Sequence, residues 1–317
     1  MRKVVELGYH IRNQVSIMRE GTTIITLDSG YHLWTHTDNA GGGIRLLCLH
    51  GGPGGNHEYY ENFAEKLKDM DVQVTMYDQL GSWYSDQPDF TKQENVDRFL
   101  TMDYYVDEIE EVRQKLDIDD FYLIGQSWGG AITQEYALKY PDHLKGIIIS
   151  SMTDNIDEYI VNINKIRESE YSREDLDFMK KCEEENDYDN ERYQKLIDKL
   201  NCGYVDRKQP PAIRHLTSTM AAPVYNYFQG DNEFVITGKL DGWDIRDRIK
   251  DIKCPTLITY GEHETMPLAA GRRMAGTIPH ARFVTTPNGG HHHMIDNADV
   301  YFAHLKEFLA DVENGTF

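Results

Sequence analysis

Residues 121–140 read FYLIGQSWGGAITQEYALKY, with the pattern GQSWG at positions 125–129. The apolar run at 121–124 predicts a buried strand, and the apolar spacing over 129–140 predicts a helix that ends before a proline. A serine on a sharp turn between a strand and a helix is held in a strained conformation with its oxygen exposed. We therefore take Ser127 as the candidate nucleophile; the alternative interpretation is a helix cap made of small residues.

Strands and helices alternate on both sides of this turn. Strands are predicted at 22–27, 31–35, 44–49, 72–77, 146–150, 255–260 and 281–285, and helices at 57–70, 106–116, 268–278 and 300–312. The first two strands flank the turn residues Asp28-Ser29-Gly30 and so predict a hairpin. Strands separated by helices favour an α/β fold class, with a mostly parallel sheet flanked by helices.

The segment 152–240 interrupts this alternation, because helical periodicity and dense charge dominate it. We predict an α/β core formed by residues 1–151 and 241–317, with residues 152–240 inserted as a helical cap domain. Within the insertion, 182–190 and 206–211 are predicted as loops.

The composition excludes several classes of protein. The chain has 317 residues, 40% of them hydrophobic, and a net charge of −20, which repels the phosphate backbone of nucleic acids. Residues 1–14 contain no apolar stretch typical of a signal peptide, and no run reaches the roughly 18 apolar residues of a membrane helix. The four cysteines show no CxxC spacing, which favours free thiols. We expect a cytoplasmic protein without cofactor, nucleic-acid or membrane partners; the oligomeric state is not indicated.

A second glycine-rich turn, His50-Gly51-Gly52-Pro53-Gly54, directly follows the strand predicted at 44–49. Acyl transfer needs backbone N–H donors at the place where the oxyanion forms. Proline has no N–H to donate, so we predict the N–H groups of Gly52 and Trp128 as the oxyanion hole. The alternative is an ordinary glycine-rich turn.

The base that activates the serine is expected downstream, since α/β-hydrolases carry nucleophile, acid and histidine in that order. The sequence Gly289-Gly290-His291-His292-His293 follows the last predicted strand, which places its first histidine at the sheet edge of Ser127. We predict His291 as the base. Three adjacent histidines also suggest a metal site, but successive residues rarely converge on one ion. We therefore expect no metal, with His292 and His293 packing around the base.

The acid that orients the histidine is expected in the loop after the strand at 255–260. Glu264 is the best-placed carboxylate in that loop. Glu262 is the local competitor, and Asp244 lies before the strand, which makes it the weaker alternative.

Taken together, these residues are similar to those of proline iminopeptidases, a family of the α/β-hydrolase fold grouped with L-amino acid amidases and the tricorn-interacting aminopeptidase. The resemblance covers nearly the whole chain and is carried by HGGPG at 50–54, DQLGS at 78–82, GQSWGG at 125–130, and GDNEF at 230–234 with Thr237-Gly238. The family removes an N-terminal residue, often proline, from short peptides, arylamides or amides without a metal. The resemblance implies that Ser127 attacks the carbonyl carbon, that an acyl-enzyme forms, and that His291 transfers the proton.

The resemblance also implies an anchor for the amino group of the substrate. In this family a glutamate in the last segment of the insertion binds that ammonium, and Glu233 falls on its position. A charge-assisted hydrogen bond there would make N-blocked substrates poor. Gly51 and Tyr225 are expected to contact the substrate beside it. The alternative for Glu233 is an exposed loop acid.

The chain departs from the family pattern at three places. The orienting acid is usually aspartate, whereas Glu264 stands here. Some members carry a second acid directly after it, where this chain has Thr265. The family usually has one histidine followed by apolar or hydroxyl residues, where this chain has three histidines at 291–293.

Two other functions are compatible with parts of the pattern. A carboxylesterase, thioesterase or lactonase would use the same reacting groups on a neutral acyl substrate, for which an ammonium anchor at Glu233 has no purpose. A non-catalytic binding protein on a hydrolase scaffold would not need both Ser127 and His291.

Overall fold

Eight strands form a mixed sheet in the computed structural model, which describes residues 20–317. They are β1 (Gly21–Thr26), β2 (His32–Asp38), β3 (Ile44–Leu49), β4 (Val72–Tyr77), β5 (Phe121–Gln126), β6 (Leu144–Ser150), β7 (Thr256–Gly261) and β8 (Ala281–Thr286). Their order across the sheet is β1-β2-β4-β3-β5-β6-β7-β8. Only the pairs β1–β2 and β2–β4 are antiparallel among these, which confirms the mostly parallel sheet. The prediction for residues 1–14 concerns positions outside the described range.

The helices of the core cover both faces of the sheet. They are α1 (Phe63–Leu67), α2 (Gln93–Phe99), α3 (Met102–Lys115), α4 (Trp128–Lys139), α10 (Leu268–Thr277), α11 (His293–Asp296) and α12 (Ala298–Glu313). Successive side chains of a strand point to opposite faces. In β3, Leu47 and Leu49 accordingly pack on the side of α3 and α4, whereas Leu46 and Cys48 pack on the side of α1 and α12. The helix predicted at 57–70 is interrupted, because a short 3-10 helix precedes α1. Helix α2 was not predicted.

Five α-helices lie between β6 and β7, as the helical periodicity of this segment indicates. They are α5 (Ile156–Glu170), α6 (Arg173–Glu185), α7 (Glu191–Leu200), α8 (Pro211–Ser218) and α9 (Ala222–Phe228), with a π-helical turn at Asn201–Val205. The loop predicted at 182–190 is wrong for its first four residues. Met179 and Cys182 are buried one helical turn apart and extend α6 to Glu185, after which Asn186 ends it with φ 55°. The division into a core and a cap domain at 152–240 stays a prediction.

The carboxyl ends of the parallel strands meet at one edge of the sheet. In open α/β sheets ligands bind outside that edge. The turn after β3, the turn after β5, and the loops after β7 and β8 therefore come together there. Among residues 20–317, no helix is both long and apolar enough to cross a bilayer.

Candidate active site

Ser127 occupies the single position between β5 and α4. Its φ of 53° lies in the left-handed region that side chains rarely adopt, which is the strained turn that the sequence predicts. The glycines on both sides are required by close packing. A Cβ at Gly125 would lie 2.0 Å from the carbonyl oxygen of Gly129, and a Cβ at Gly129 would lie 2.2 Å from that of Leu49. The turn therefore holds Ser127 at the sheet edge, 9% exposed.

His291 and Glu264 form a buried pair. His291 Nδ1 lies 2.7 Å from Glu264 Oε1, and because a carboxylate only accepts, Nδ1 carries the hydrogen. The carboxylate is fixed in turn by Ser151, whose hydroxyl donates to Oε2 at 2.6 Å, and by the N–H of Thr265 at 2.9 Å from Oε1. Nε2 of His291 is buried and has no hydrogen-bond partner in the described chain, and the residue lines the cavity. Glutamate in place of aspartate is thus accommodated with its carboxylate held on two sides.

The charges around this pair favour its ionised form. Burial disfavours the imidazolium, but the negative charges of Glu233 and Glu264 outweigh burial and raise the pKa of His291 to about 9. Burial alone would raise the pKa of Glu264, but the charge and hydrogen bond of His291 lower it to about 2. The imidazole thus lies between two carboxylates.

The two competing acids lie elsewhere. Glu262 accepts the backbone N–H of Asn288 at 2.9 Å, and Asp244 holds the guanidinium of Arg246. Within the described residues, neither carboxylate forms a hydrogen bond or an ion pair with His291.

The three histidines have three different environments. His292 Nδ1 is hydrogen-bonded to Asp206, and His293 lies between the hydroxyls of Thr286 at 2.8 Å and Ser150 at 3.2 Å. Burial lowers the pKa of His293 to about 3, so it is neutral. The three rings do not converge, and the described part of the chain contains no group of three metal-ligating side chains.

The loop that carries His291 is held by both the core and the inserted helices. The carbonyl of His291 accepts a hydrogen bond from Gln126 Nε2 at 2.7 Å, and the Ser151 hydroxyl oxygen lies 2.9 Å from the same carbonyl oxygen. Its N–H donates to the carbonyl of Tyr204, in the π-helical turn, at 2.7 Å. Gly290 is needed at this crossing, since a Cβ there would lie 2.7 Å from the Tyr204 oxygen.

Gln79 links the two turns that carry the predicted oxyanion donors, Gly52 and Trp128. Its side-chain oxygen accepts the indole N–H of Trp128 at 2.9 Å, and its side-chain N–H donates to the carbonyl of His50 at 3.1 Å. Gly52 lines the cavity with Ser127. Gly51 packs behind it, since a Cβ at Gly51 would lie 3.2 Å from the Cβ of Ser127.

Glu233 reaches the same cavity from the loop after α9. Its Oε1 lies 3.8 Å from Nε2 of His291 and 3.1 Å from the hydroxyl of Thr265, and it also accepts from the hydroxyl of Tyr159. The side chain is 13% exposed, and in the described residues neither lysine nor arginine pairs with it. A mostly buried carboxylate that no lysine or arginine neutralises is suited to receive a cation from solution.

These groups share a cavity of about 350 Å³. Its lining includes Ser127, His291, Gly52, Glu233 and Tyr225. The structure thus brings together the predicted nucleophile, base, one oxyanion donor and two of the three predicted substrate contacts. A carboxylate that no lysine or arginine neutralises, in one cavity with a serine and an imidazole, can bind a small amine and allow attack on a carbonyl next to it.

Four side chains that support the site were not predicted from the sequence. They are Gln79, Ser151, Tyr159 and Thr265, the last considered only as a replaced acid. Of these four, Gln79 alone lies in a motif that the sequence analysis singled out, the DQLGS stretch at 78–82.

Comparisons with known proteins agree with this fold. A family model described as the alpha/beta hydrolase fold matches residues 44–298. A proline iminopeptidase of Elizabethkingia meningoseptica is 34% identical over 301 residues, covering 93% of this chain and 99% of the relative. One from Flavobacterium johnsoniae is 33% identical over 291 residues, covering 90% of this chain and 95% of the relative. The crystal structure of the Mycobacterium smegmatis proline iminopeptidase matches with a TM-score of 0.83 at 23% identity, over 94% of this chain and 100% of that one.

The matched family model spans most of the chain, and the sheet has the order and the strand-to-helix serine that this class requires. The chain is therefore a serine hydrolase of the α/β-hydrolase fold. The similarity to relatives extends over nearly their full length and narrows the assignment further. The chain belongs to the proline iminopeptidase family.

Proposed function

We propose that the protein is a serine aminopeptidase that releases an N-terminal residue, with proline preferred, from short peptides, arylamides or amides. The observation that carries this proposal is Glu233, a mostly buried carboxylate that pairs with neither lysine nor arginine in the described chain and whose Oε1 lies 3.8 Å from Nε2 of His291. A protonated α-amino group bound there places the first carbonyl of the substrate beside Ser127. Substrates that begin with a free amine are selected in this way.

The residues act in the following order. Nε2 of His291 takes the proton of the Ser127 hydroxyl as Oγ attacks the carbonyl carbon, and the N–H groups of Gly52 and Trp128 stabilise the oxyanion. The C–N bond then breaks, and His291 gives the proton to the leaving amine. Water, activated by the same imidazole, hydrolyses the acyl-enzyme. Glu264 keeps the ring in the tautomer with its hydrogen on Nδ1 and stabilises the imidazolium.

The preference for a small ring rests on the cavity. A volume of about 350 Å³ suits one residue and part of its leaving group, and Tyr225 supplies an aromatic wall. Gly51 contributes indirectly in this proposal, since it lets the turn pack against Ser127. The inserted segment 152–240 acts as the cap that limits the cavity, because Glu233 and Tyr225 both come from it.

We also propose that the protein works in the cytoplasm, where thiols stay reduced. All four cysteines are free, including Cys48 and Cys182 in the buried core.

The experiment that tests the function compares five substrates with the purified protein. Prolyl-, alanyl- and phenylalanyl-arylamides carry a free amine, whereas N-acetylprolyl-arylamide and p-nitrophenyl acetate do not. We expect cleavage of the free-amine arylamides, fastest for proline, and little cleavage of the acetylated one. Turnover of the ester alone would support a carboxylesterase instead. Failure of a fluorophosphonate to label the folded protein would support a non-catalytic binding protein.

A further inference from the structure

Glu233 faces the reacting imidazole as well as the place of the substrate amine. His291 Nδ1 is occupied by Glu264 at 2.7 Å, and Glu233 Oε1 lies 3.8 Å from Nε2 on the other side of the ring. Within the described chain Nε2 has no hydrogen-bond partner. In the free protein the imidazole is therefore placed between two carboxylates, an arrangement that stabilises its positively charged form.

A general base must be neutral when it takes the serine proton. On the basis of the function proposed above, we propose that the ammonium group of the substrate creates this base by neutralising Glu233, so that near neutral pH Nε2 of His291 loses its proton only when a free amine is bound. The released proton passes to solvent through the open cavity. The neutral Nε2 then receives the proton of Ser127, and no other reactant is needed.

The surroundings of His291 support this assignment. The titratable side chains around it are Glu233, Glu264, Asp206, Tyr59, His292 and His293. Glu264 is needed for orientation and stays ionised, whereas His293 is neutral and burial keeps the pKa of Tyr59 above its ordinary value. Asp206 acts from a greater distance and is hydrogen-bonded to His292. Glu233 is thus the nearby charge that a ligand can cancel.

The charges around His291 also determine in which direction its pKa changes when the amine binds. With Glu233 ionised, the pKa of His291 is raised to about 9, so that most of the imidazole is protonated at neutral pH. Removing a carboxylate at this distance lowers a pKa by about one to three units. A substrate ammonium adds a positive charge near Nε2 and acts in the same direction. Substrates without an amine meet the protonated histidine and react slowly at neutral pH.

The test uses p-nitrophenyl acetate, which has no amine and therefore does not depend on the anchor. Its hydrolysis is measured from about pH 6 to about pH 10 in the wild type, in Glu233→Gln and in Asp231→Asn. Asp231→Asn is the matched control, because it removes the same charge from the same cavity, while Asp231 Oδ1 is hydrogen-bonded to Asn232.

We expect the wild-type rate to rise with pH to a midpoint near the His291 value of about 9. In Glu233→Gln the midpoint should move down by about one unit or more, which makes ester hydrolysis near neutral pH about tenfold faster or more. Asp231→Asn should keep the wild-type midpoint. Coincident profiles for the wild type and Glu233→Gln would overturn the proposal. Failure of the wild type to cleave prolyl-arylamides would instead contradict the proposed function, so the two failures are separable.

A second measurement does not depend on the folding of Glu233→Gln. Calorimetric titration of Ser127→Ala with L-prolinamide, in two buffers of different ionisation enthalpy, counts the protons released on binding. We expect about 0.4 to 0.9 of a proton per site to be released at about pH 8, as follows from a His291 pKa that falls from about 9 by about one to three units, and no binding of N-acetylprolinamide. Binding of prolinamide without proton release would show that the amine does not change the protonation of His291.

Discussion

The cavity has two ends that are constructed differently. At one end, Ser127, Glu264 and His291 follow the carboxyl ends of β5, β7 and β8, and each lies within five residues of the strand that precedes it. At the other end, Glu233 lies in the loop after α9 and is held by side chains, chiefly the hydroxyl of Tyr159. In the proposed function this difference separates two tasks: the core breaks the bond and the inserted segment selects the substrate. Changes at the first end should lower the rate on every acyl substrate, whereas changes at the second should lower only the rate on substrates with a free amine.

The largest effect is expected from Ser127→Ala, which removes the nucleophile at the core end. The rates on prolyl-arylamide and on p-nitrophenyl acetate should both fall by about 10⁴-fold or more, because nucleophile and base act as a unit. Steady-state kinetics with both substrates measure this, and His291→Ala should give a similar loss. Ser218→Ala, in the inserted segment, serves as a control for handling and folding. Comparable activity in Ser127→Ala would refute the assignment of the nucleophile.

The second-largest loss of rate is expected from substitution of Glu264, the acid that orients His291. Glu264→Ala removes the carboxylate 2.7 Å from Nδ1 and should lower the rate on both substrates by about 10²- to 10⁴-fold. Glu262→Ala is the matched control, because it removes a glutamate from the same loop whose carboxylate binds Asn288 instead. If Glu264→Ala were silent and Glu262→Ala were not, the acid would have to be reassigned.

Glu233→Gln tests the other end of the cavity. Loss of a charge-assisted hydrogen bond should lower kcat/KM on prolyl-arylamide by about tenfold to a hundredfold. The rate on p-nitrophenyl acetate should not fall, so a fall on the arylamide alone distinguishes loss of the amine anchor from loss of bond breaking. An equal loss on both substrates would mean that Glu233 has a structural role, and the comparison between the two ends would fail.

The core end could be predicted from the sequence because its signals are local. The strained turn at Ser127 needs glycine at 125 and 129 for packing reasons that hold wherever this turn occurs, and the chain order narrows the search for His291. The identity of the carboxylate that contacts the His291 ring was less well determined by the sequence. Glu264 and Glu262 share one loop, and only the three-dimensional course of that loop separates them.

The supporting contacts at the other end could not be predicted, because they join distant parts of the chain. Tyr159 meets Glu233 across 74 positions, and His292 meets Asp206 across 86. Helix α6 shows the same limitation on a smaller scale. Its last residues are mostly acidic and resemble a loop, yet the buried side chains of Met179 and Cys182 keep it helical. Tertiary packing overrides a local polar pattern there.

The smallest predicted effect lies where the two ends meet. The hydroxyl of Thr265 is 3.1 Å from Glu233 Oε1 and 3.2 Å from Glu264 Oε1, and its single hydrogen can serve only one of them at a time. Thr265→Val keeps the shape and removes this hydroxyl. If the hydrogen serves Glu233, kcat/KM on prolyl-arylamide should fall by about three- to tenfold while the ester rate stays nearly constant.

Thr277→Val, which removes a hydroxyl that bonds within α10, is the control for the substitution itself. A parallel loss on the arylamide and the ester would place the hydrogen on Glu264 instead. Thr265 would then support bond breaking through Glu264, and Glu233 would have to select the amine without help from this hydroxyl.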